Sequence, residues 1–397
     1  MVGGRSVTRV TTSTRLLPGL PSGLAEALGR CRGGQAVARS LPAACYTDPR
    51  VAAVEEEAVF RRGWVGVGRW DRWTDPGDYA AIRVGGVPVV MVRGDDQVLR
   101  AFANTCSHRF TEVMEGEGTC RRMRCPFHAW TYALDGTLIG APSMGNAEDF
   151  DPADHGLHEF SVAERLGFTF VSLEDSPPAI DDWLGDAAGV LARWELDSMV
   201  TTRRREFTVD CNWKAFAEVF NEYYHLPYVH PGSIDDTYDD PDEPEAVSGS
   251  WATHFGSTQG TGGLLEENQH KALPVIPTLD DREAGGVRYS WLFPSMVIAT
   301  GAEGLWMYEV LPDGPDRCRC AQVVCFPPAT VTAEGFAGVA ESYYERFDVA
   351  IDEDIPMLER QHRGMATPAV RQGRFSHLEP NVARFAGWYA DRLLSVG

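Results

Sequence analysis

Residues 210–231 read DCNWKAFAEVFNEYYHLPYVHP, and the rest of the predicted fold is organised around this stretch. Its spacing predicts a helix on which Glu218, Glu222 and His225 share one side. A helix with so many aromatic residues is expected to be buried, and buried polar groups need partners. Pro227 is expected to end the helix, because its ring cannot continue the hydrogen-bond ladder.

Two histidines, His225 and His230, stand on either side of this predicted helix break. After the break the second histidine can turn back, so that both side chains aim at one point. Two histidines and a carboxylate from elsewhere form the facial triad of a mononuclear non-haem Fe(II) site. The alternative is a pair of ordinary core histidines. The neighbouring buried glutamates favour the metal site.

A second motif pairs one cysteine with one histidine on each of two short loops. The pattern is C-x-H, then 16 residues, then C-x-x-H. Its candidate ligands are Cys106, His108, Cys125 and His128. Such a set can hold structural zinc, but the interleaved order favours a [2Fe–2S] cluster with two cysteines on one iron and two histidines on the other. Trp130 and Tyr132 are expected to cover it.

The composition argues against several classes of protein. The chain has 397 residues and a net charge of −21, whereas nucleic-acid binding needs clustered Lys and Arg. No apolar run approaches the roughly 18–20 residues of a membrane span. Nine cysteines without an apolar secretory leader indicate metal ligands and free thiols. We therefore predict a cytoplasmic protein without a membrane or nucleic-acid partner.

The pattern along the chain predicts four segments. Residues 1–40 are predicted to be an N-terminal tail with one short helix, and a transit peptide is the alternative for its beginning. Residues 41–62 are predicted to form a helix capped by Asp48. Residues 63–173 contain short β-rich runs between turn residues, which predicts a small antiparallel β domain. Residues 174–397 are predicted to form a second domain that contains the His225 motif.

Within the second domain, a helix is predicted over residues 181–196. Residues 232–286 are acidic and glycine-rich and are predicted to be irregular. Because a compact domain rarely keeps so long a loop without a use, we interpret this segment as a cover over the metal pocket, with a solvated loop as the alternative. Strands are predicted next, followed by a long helix over residues 333–351.

With both motifs in this order, the chain resembles the catalytic (alpha) subunit of Rieske non-haem iron ring-hydroxylating oxygenases. The resemblance extends from about residue 41 to the C-terminus. It rests on CSHRF at 106–110, CPFHAWTY at 125–132, NWKAFAEVFNEYYHLPYVH at 212–230 and EDIPMLERQHRG at 353–364. It implies an α+β fold with a Rieske antiparallel β domain. The other domain would be a helix-grip (START-like) domain, in which a curled antiparallel sheet surrounds a helix.

The resemblance implies a role for each matching residue. The cysteines and histidines of the two loops would hold a [2Fe–2S] cluster. His225 and His230 would hold a mononuclear Fe(II), and Asp354 would be its third ligand. Asp352 and Glu353 are the competing candidates for that third position.

Glu222 stands where the family has a carboxylate that bridges the two iron centres. In a head-to-tail homotrimer, which the resemblance implies, it would accept hydrogen bonds from His128 of one subunit and His225 of the next. The sequence departs from the family here, since many members have Asp at this position. It also has Val219 in place of Asn, and Phe110 in place of the Gly that usually follows the first His-Arg pair.

The resemblance also implies that electrons come from NAD(P)H through a separate reductase or ferredoxin. The chain has no G-x-G-x-x-G motif at a strand–helix junction, so no nicotinamide site of its own is predicted. Four arginines surround the cluster motif in an otherwise acidic protein and could attract an acidic electron carrier. They are Arg109, Arg121, Arg122 and Arg124. The alternative is that they balance the cluster charge or face solvent. A beta subunit is a further possible partner.

For the substrate, the resemblance implies hydroxylation of a small, aromatic compound by a mono- or dioxygenase. The alternative is hydroxylation or N-demethylation of a quaternary ammonium compound of the choline, betaine or carnitine type. Ring faces of Trp291, Trp306 and Tyr308 could hold such a cation, or these could be core residues. A Rieske electron carrier without oxygenase activity and a structural zinc protein are alternatives from other classes.

Overall fold

The computed structural model describes residues 19–396. The first 18 residues of the predicted tail lie outside the described residues. The helices are α1 Leu24–Gly29, α2 Ala44–Thr47, α3 Pro49–Glu55, α4 Ile180–Leu184, α5 Ala187–Val190, α6 Trp213–Val219, α7 Leu226–Val229, α8 Asp281–Ala284, α9 Pro328–Val331, α10 Phe336–Met365 and α11 Pro380–Leu394. None of these helices is long and apolar enough to cross a membrane.

The first ten strands build the predicted antiparallel β domain. They are β1 Val65–Arg69, β2 Asp78–Val84, β3 Val87–Arg93, β4 Leu99–Ala103, β5 Glu117–Thr119, β6 Met123–Arg124, β7 Thr131–Tyr132, β8 Leu138–Gly140, β9 Glu159–Arg165 and β10 Phe168–Ser172. Seven form a sheet in the order β1-β10-β9-β4-β3-β2-β5, and β6-β7-β8 form a smaller sheet. The small sheet therefore projects the second cysteine–histidine loop beside the first.

The remaining strands form one antiparallel sheet that packs on a long helix. They are β11 Val200–Val209, β12 Trp251–Ser257, β13 Gly286–Leu292, β14 Met296–Thr300, β15 Leu305–Pro312 and β16 Cys318–Phe326, in the order β11-β16-β15-β14-β13-β12. Side chains alternate along a strand, so Trp306 of β15 packs on Phe347 of α10, whereas Met307 packs in a separate cluster with Phe170 of the β domain. Both domains of the predicted α+β fold are confirmed.

Two predicted elements begin where the sequence places them. The short helix in the tail is α1, and its buried leucines share a core with α11. α3 begins at the predicted cap, because the Asp48 side chain accepts a hydrogen bond from the backbone N–H of Arg50 at 2.9 Å. Asp48 thus satisfies one of the free N–H groups at the helix start.

Three predicted elements differ from the structure. The helix over residues 181–196 is instead α4, α5 and short 3-10 turns, broken at Gly185, whose φ is +58° and where a Cβ would lie 2.3 Å from the carbonyl oxygen of Ser248. The irregular segment 232–286 contains β12 and α8. The helix over 333–351 extends to Met365, so Asp354 lies inside α10.

Candidate metal centres

The His225 motif forms two short helices, not one. Asn212 caps the start of α6, since its side chain accepts a hydrogen bond from the backbone N–H of Lys214 at 3.1 Å, and the helix ends before Phe220. α7 then carries Pro227 in its first turn, where proline is favoured. The prediction that Pro227 ends the helix is therefore wrong, and so is the prediction that Glu222 and His225 continue the face of α6.

The break between the helices has a local cause. The side chain of Asn221 donates to the Ala217 carbonyl at 2.8 Å. The Glu222 carboxylate accepts the backbone N–H groups of Tyr224 and His225, the latter at 3.1 Å. Such side-chain bonds to the backbone compete with helical hydrogen bonds. The motif is thus turned so that His225 faces His230.

Three ligand atoms converge at this turn. They are Nε2 of His225, Nε2 of His230 and a carboxylate oxygen of Asp354, and all lie within 4.8 Å of one another. Nε2 of His230 is 3.2 Å from both Nε2 of His225 and Oδ1 of Asp354. The structure therefore brings together the three residues that the sequence singled out.

In both histidine rings the other nitrogen, Nδ1, lies within hydrogen-bond distance of a carboxylate. Nδ1 of His225 lies 2.6 Å from Oε1 of Glu222, and Nδ1 of His230 lies 2.8 Å from Oε2 of Glu353. Burial lowers the pKa of His225, but the carboxylates of Glu222 and Asp354 together outweigh burial, and the pKa is raised. The predicted contact between Glu222 and His225 is present.

This arrangement fits a cation between the three ligand atoms. Each Nδ1 lies within hydrogen-bond distance of a carboxylate, and a ring that donates from Nδ1 presents the lone pair of its Nε2 to a cation. Oδ1 of Asp354 is buried and makes no hydrogen bond. Two imidazoles and one carboxylate are the donor set of a non-haem Fe(II) site with open positions.

The residues competing with Asp354 face elsewhere. Asp352 is exposed, and Glu353 contacts Nδ1 of His230 rather than the converging nitrogens. Successive residues on a helix point about 100° apart, so only one of three consecutive acids can face the site. The sequence included Glu353 as a possible ligand and missed its contact with the ring nitrogen.

The two cysteine–histidine loops have matching backbones. In the first loop, Phe110 N–H donates to the Cys106 carbonyl at 2.9 Å, and in the second, Ala129 N–H donates to the Cys125 carbonyl at 3.1 Å. Phe110 and Ala129 both have φ near +60°, at 63° and 58°. Phe110 replaces the family's glycine at a position where the backbone is left-handed, a conformation that glycine adopts most easily.

The loops place the two candidate histidines in contact and bury the two candidate cysteines in one cluster of the β domain. Cys106 and Cys125 are buried, and the rings of His108 and His128 lie 4.7 Å apart. Trp130 stacks on His108 at 4.9 Å, as expected for a covering residue. The buried Nδ1 of His108 has no hydrogen-bond partner. Two thiols and two imidazoles, one of them unpaired, fit the donor set of a Rieske cluster.

Tyr132 also contacts the first loop. Its hydroxyl lies 3.2 Å from Sγ of Cys106 and 3.0 Å from Oγ of Ser107. Burial raises the pKa of Tyr132 to about 12, and the neighbouring thiol adds to the shift. A neutral phenol beside Cys106 is therefore available to donate a hydrogen bond to a thiolate.

An aromatic pocket adjoins the three converging ligand atoms. Its rings include Phe220, Tyr289, Trp306 and Tyr308, and its wall also contains Arg346. The cavity between these walls has a volume of about 40 Å³. Of the aromatic residues proposed from the sequence, Trp291 is outside the pocket. It is a core residue that stacks on Phe385 at 3.9 Å.

The segment predicted to cover the pocket does so in part. Ile234 lies in the pocket wall, and the Tyr238 hydroxyl accepts a hydrogen bond from Arg346 at 2.8 Å. Of the acidic residues further along, Glu245 pairs with Arg288 at 2.8 Å. The beginning of the segment therefore forms part of the pocket wall, whereas Glu245 further along forms an ion pair with Arg288 of β13.

A second cavity, of about 410 Å³, also borders Glu222. Its wall includes Glu218 and Glu379 together with Glu222 and His225. Burial raises the pKa of Glu218 to about 7. The Tyr46 hydroxyl donates to Glu218 at 2.7 Å. The carboxylate predicted to bridge two centres thus lines both the aromatic pocket and a larger cavity.

A cluster-binding β domain joined to a sheet-and-helix domain with a three-ligand metal site defines an iron-dependent oxygenase with two metal centres. Residues 63–155 match the family described as "Rieske [2Fe-2S] domain", and residues 186–395 match "Ring hydroxylating alpha subunit (catalytic domain)". The chain belongs to the alpha subunits of the Rieske ring-hydroxylating oxygenases.

Relatives in this family have named substrates. The chain is 31% identical to the glycine betaine monooxygenase oxygenase subunit of Chromohalobacter salexigens, covering 90% of this chain and 86% of that protein. It is 29% identical to the chloroplastic choline monooxygenase of Arabidopsis thaliana, covering 87% and 80%. A quaternary ammonium Rieske monooxygenase described for carnitine oxidation has the same fold, with 24% identity, a TM-score of 0.75 and coverage of 94% and 98%.

The family membership confirms the class of enzyme and its cofactors. The protein is a Rieske non-haem iron oxygenase with one [2Fe–2S] cluster and one mononuclear iron. It receives its electrons from a partner protein, as family members do. The electron carrier without oxygenase activity and the structural zinc protein are therefore excluded.

Proposed function

We propose that this protein is the terminal oxygenase that oxidises a small quaternary ammonium compound, the alternative drawn from the sequence. The observation that carries the proposal is the aromatic pocket beside His225, His230 and Asp354. Faces of aromatic rings attract cations of this kind. The relatives named for betaine and choline support this substrate class over an aromatic one.

The proposed ligands follow from the contacts. Cys106, Cys125, His108 and His128 hold the cluster, and His225, His230 and Asp354 hold the mononuclear iron. When bound, that iron supplies the activation of O2 beside the substrate. The protein orients both iron-binding rings through Glu222 and Glu353, because a ligating histidine is fixed by the group that accepts its second N–H.

The substrate is held by the pocket walls. The ring faces of Phe220, Tyr289, Trp306 and Tyr308 surround the cation and exclude water from its methyl groups. Hydroxylation of an N-methyl carbon would consume O2, two electrons from the partner protein and two protons, and would give an N-hydroxymethyl compound and water. Cleavage of its C–N bond, with loss of the hydroxyl proton, would then release formaldehyde and leave a tertiary amine. The protein's part in this step is to keep one methyl group close to the open face of the metal site.

We propose a head-to-tail homotrimer in which one subunit's cluster loops enter the cavity beside the next subunit's Glu222. Phe110 and Phe127 are exposed at the tips of the loops, at 81% and 57%. A strained, left-handed Phe110 on the surface costs stability and is expected to serve a contact. The 410 Å³ cavity beside Glu222 is where that contact can be made.

The electron-donating partner is proposed to bind at the arginines near the cluster. Arg121, Arg122 and Arg124 line an open concavity of about 870 Å³ on the β domain. Within residues 19–396 none of these three forms an ion pair with a carboxylate. Unpaired surface cations in an acidic protein would attract an acidic carrier.

A single-turnover experiment tests the proposed reaction. The holoenzyme is reduced, mixed with O2 and choline, glycine betaine, L-carnitine or benzoate, and assayed for formaldehyde and hydroxylated products. We expect product from at least one quaternary amine and none from benzoate. His225→Ala should lose the mononuclear iron and the product while it keeps the visible spectrum of the cluster. Hydroxylated benzoate without any amine product would contradict the proposal.

A further inference from the structure

A buried cation lies in the wall of the aromatic pocket. Arg346 is 4% exposed and lines the same pocket as His225 and Asp354. It lies eight residues before Asp354 on α10, which is about 12 Å along a helix. A substrate bound in this pocket would therefore border both Arg346 and the candidate metal ligands.

The charge of Arg346 has no counter-charge in the part of the chain that the structure describes. No carboxylate there lies within ion-pair distance, 4.0 Å, of its guanidinium. The nearby acid Asp348 is engaged by Arg203 and Arg205, at 2.7 and 2.9 Å. Nη2 of Arg346 donates to the Tyr238 hydroxyl at 2.8 Å, and its buried Nε has no partner.

Neighbouring aromatic rings offset part of the free-energy cost of burying the unpaired guanidinium of Arg346. The guanidinium carbon lies 5.5 Å from the centre of the Trp306 ring and 5.4 Å from that of Phe347. Cation–π contacts are weaker than a hydrogen-bonded ion pair. A buried charge without a paired anion is strongly unfavourable. An unpaired guanidinium in a substrate pocket thus indicates that an anionic group arrives with the substrate.

We infer that Arg346 binds a carboxylate of the substrate, so that the enzyme selects a quaternary ammonium carboxylate over a quaternary amino alcohol. This inference rests on the proposed function and specifies its substrate. Arginine is well suited to the role, because its planar fork donates two parallel hydrogen bonds to a carboxylate. A cation without a carboxylate would still contact the rings, but it would meet the repulsion of the guanidinium without a carboxylate to offset it.

Among the substrates of the relatives, glycine betaine and carnitine carry a carboxylate, whereas choline carries a neutral hydroxyl. The ring faces would hold the ammonium group of all three. Arg346 would distinguish them, since only the first two neutralise it. The pocket would then bind the substrate at two ends, with the cation on the rings and the anion on α10.

The test is calorimetric binding to the anaerobic holoenzyme, with glycine betaine, L-carnitine and choline as ligands. For the wild type we expect the carboxylates to bind at least about tenfold more tightly than choline. Arg346→Gln should raise the dissociation constant of the carboxylates by about 10- to 100-fold. It should leave choline binding unchanged or tighter.

Two control variants separate this role from a structural one. Arg346→Lys keeps the charge and should keep part of the preference for carboxylates. Tyr238→Phe removes the hydrogen-bond partner of the guanidinium in the protein and should keep the preference. The visible spectrum of the cluster and the thermal midpoint check that each variant is folded. If Arg346→Gln weakened choline and betaine equally, the cation would be a packing residue and the inference would be overturned.

The outcome also distinguishes this inference from the proposed function. If the wild type oxidised no quaternary amine, the proposed function would fail. The role of Arg346 would then be tested by comparing the binding of benzoate and of benzyl alcohol to the wild type and to Arg346→Gln. Loss of benzoate binding alone in Arg346→Gln would retain the carboxylate role, and equal loss of both would overturn it. If amines were oxidised but choline bound as tightly as betaine, only the inference about Arg346 would fail.

Discussion

Oε2 of Glu353 lies 2.8 Å from Nδ1 of His230, while the adjacent Asp354 faces Nε2 of the same ring. Two consecutive acids on α10 therefore contact one histidine from both sides. The Ser233 hydroxyl also donates to Oε2 of Glu353 at 2.8 Å. This arrangement fixes both the tautomer and the orientation of the ring.

Removing the Glu353 carboxylate should weaken iron binding. We expect Glu353→Ala to lower the iron affinity of the mononuclear site by about 10- to 100-fold, the usual effect of losing such a partner. Iron content after dialysis against a chelator measures it. Asp352→Ala, a change at the exposed neighbour, is the matched control. Equal iron retention in both variants would contradict the role of Glu353.

Changing Glu222 should uncouple the two centres without emptying them. In Glu222→Gln the side-chain oxygen can still accept from Nδ1 of His225, so both metals and the cluster spectrum should remain. The charge that links the centres is lost, and single-turnover product should fall by about tenfold or more. Glu379→Gln, in the same cavity, is the control. Normal turnover in Glu222→Gln would exclude the bridging role.

Charge reversal near the cluster should impair delivery of electrons. Arg121→Glu and Arg122→Glu are each expected to raise the apparent KM for the reduced partner by about tenfold, more at low salt than at high salt. Single turnover of pre-reduced enzyme should not change. Arg319→Glu, at an exposed site in the other domain, is the control. If the variants lost their trimeric state on a sizing column instead, the arginines would belong to the subunit contact.

Glu218 should make stability depend on pH. Its pKa is raised from 4.5 to about 7 by burial, so the folded state binds a proton that the unfolded state releases between these values. The stabilisation from this proton is complete below about pH 4.5 and is lost as pH rises through about 7. The free energy of unfolding therefore falls by about 3 kcal/mol at most over this pH range.

The measurement compares wild type with Glu218→Gln in denaturant titrations from pH 5 to pH 8. We expect the wild-type free energy of unfolding to fall with pH relative to that of the variant. Glu341→Gln, on the exposed side of α10, should follow the wild type. A constant difference between wild type and Glu218→Gln across this range would show that Glu218 titrates normally.

The sequence predicted most of the residues that the structure brings together at the two candidate metal sites, because they are encoded locally. Cys106 and His108 lie on one tight loop, and His225 and His230 lie on one turn, so short motifs carry the information. The turn itself was predicted wrongly. Its break depends on side-chain bonds of Asn221 and Glu222 to the backbone, which compete with the helix signal.

Long-range contacts explain what the sequence did not predict. Tyr238 and Arg346 are 108 positions apart and meet only because the segment before β12 folds over α10. No motif marks that pair. Gly185 interrupts a segment that has helical spacing, and its backbone lies close to that of Ser248. Ser248 is 63 positions further along the chain, so no local sequence pattern indicates this contact.

The ring of His128 is exposed, whereas that of His230 is almost completely buried. Each chain therefore exposes a histidine of its candidate cluster site on the surface and buries a histidine of its candidate mononuclear iron site. In the proposed trimer, each reaction centre combines the cluster of one subunit with the mononuclear iron site of the next subunit. Co-assembling a cluster-dead His128→Ala chain with an iron-dead His225→Ala chain should restore turnover that neither inactive parent has, which is intragenic complementation at the level of the assembled enzyme.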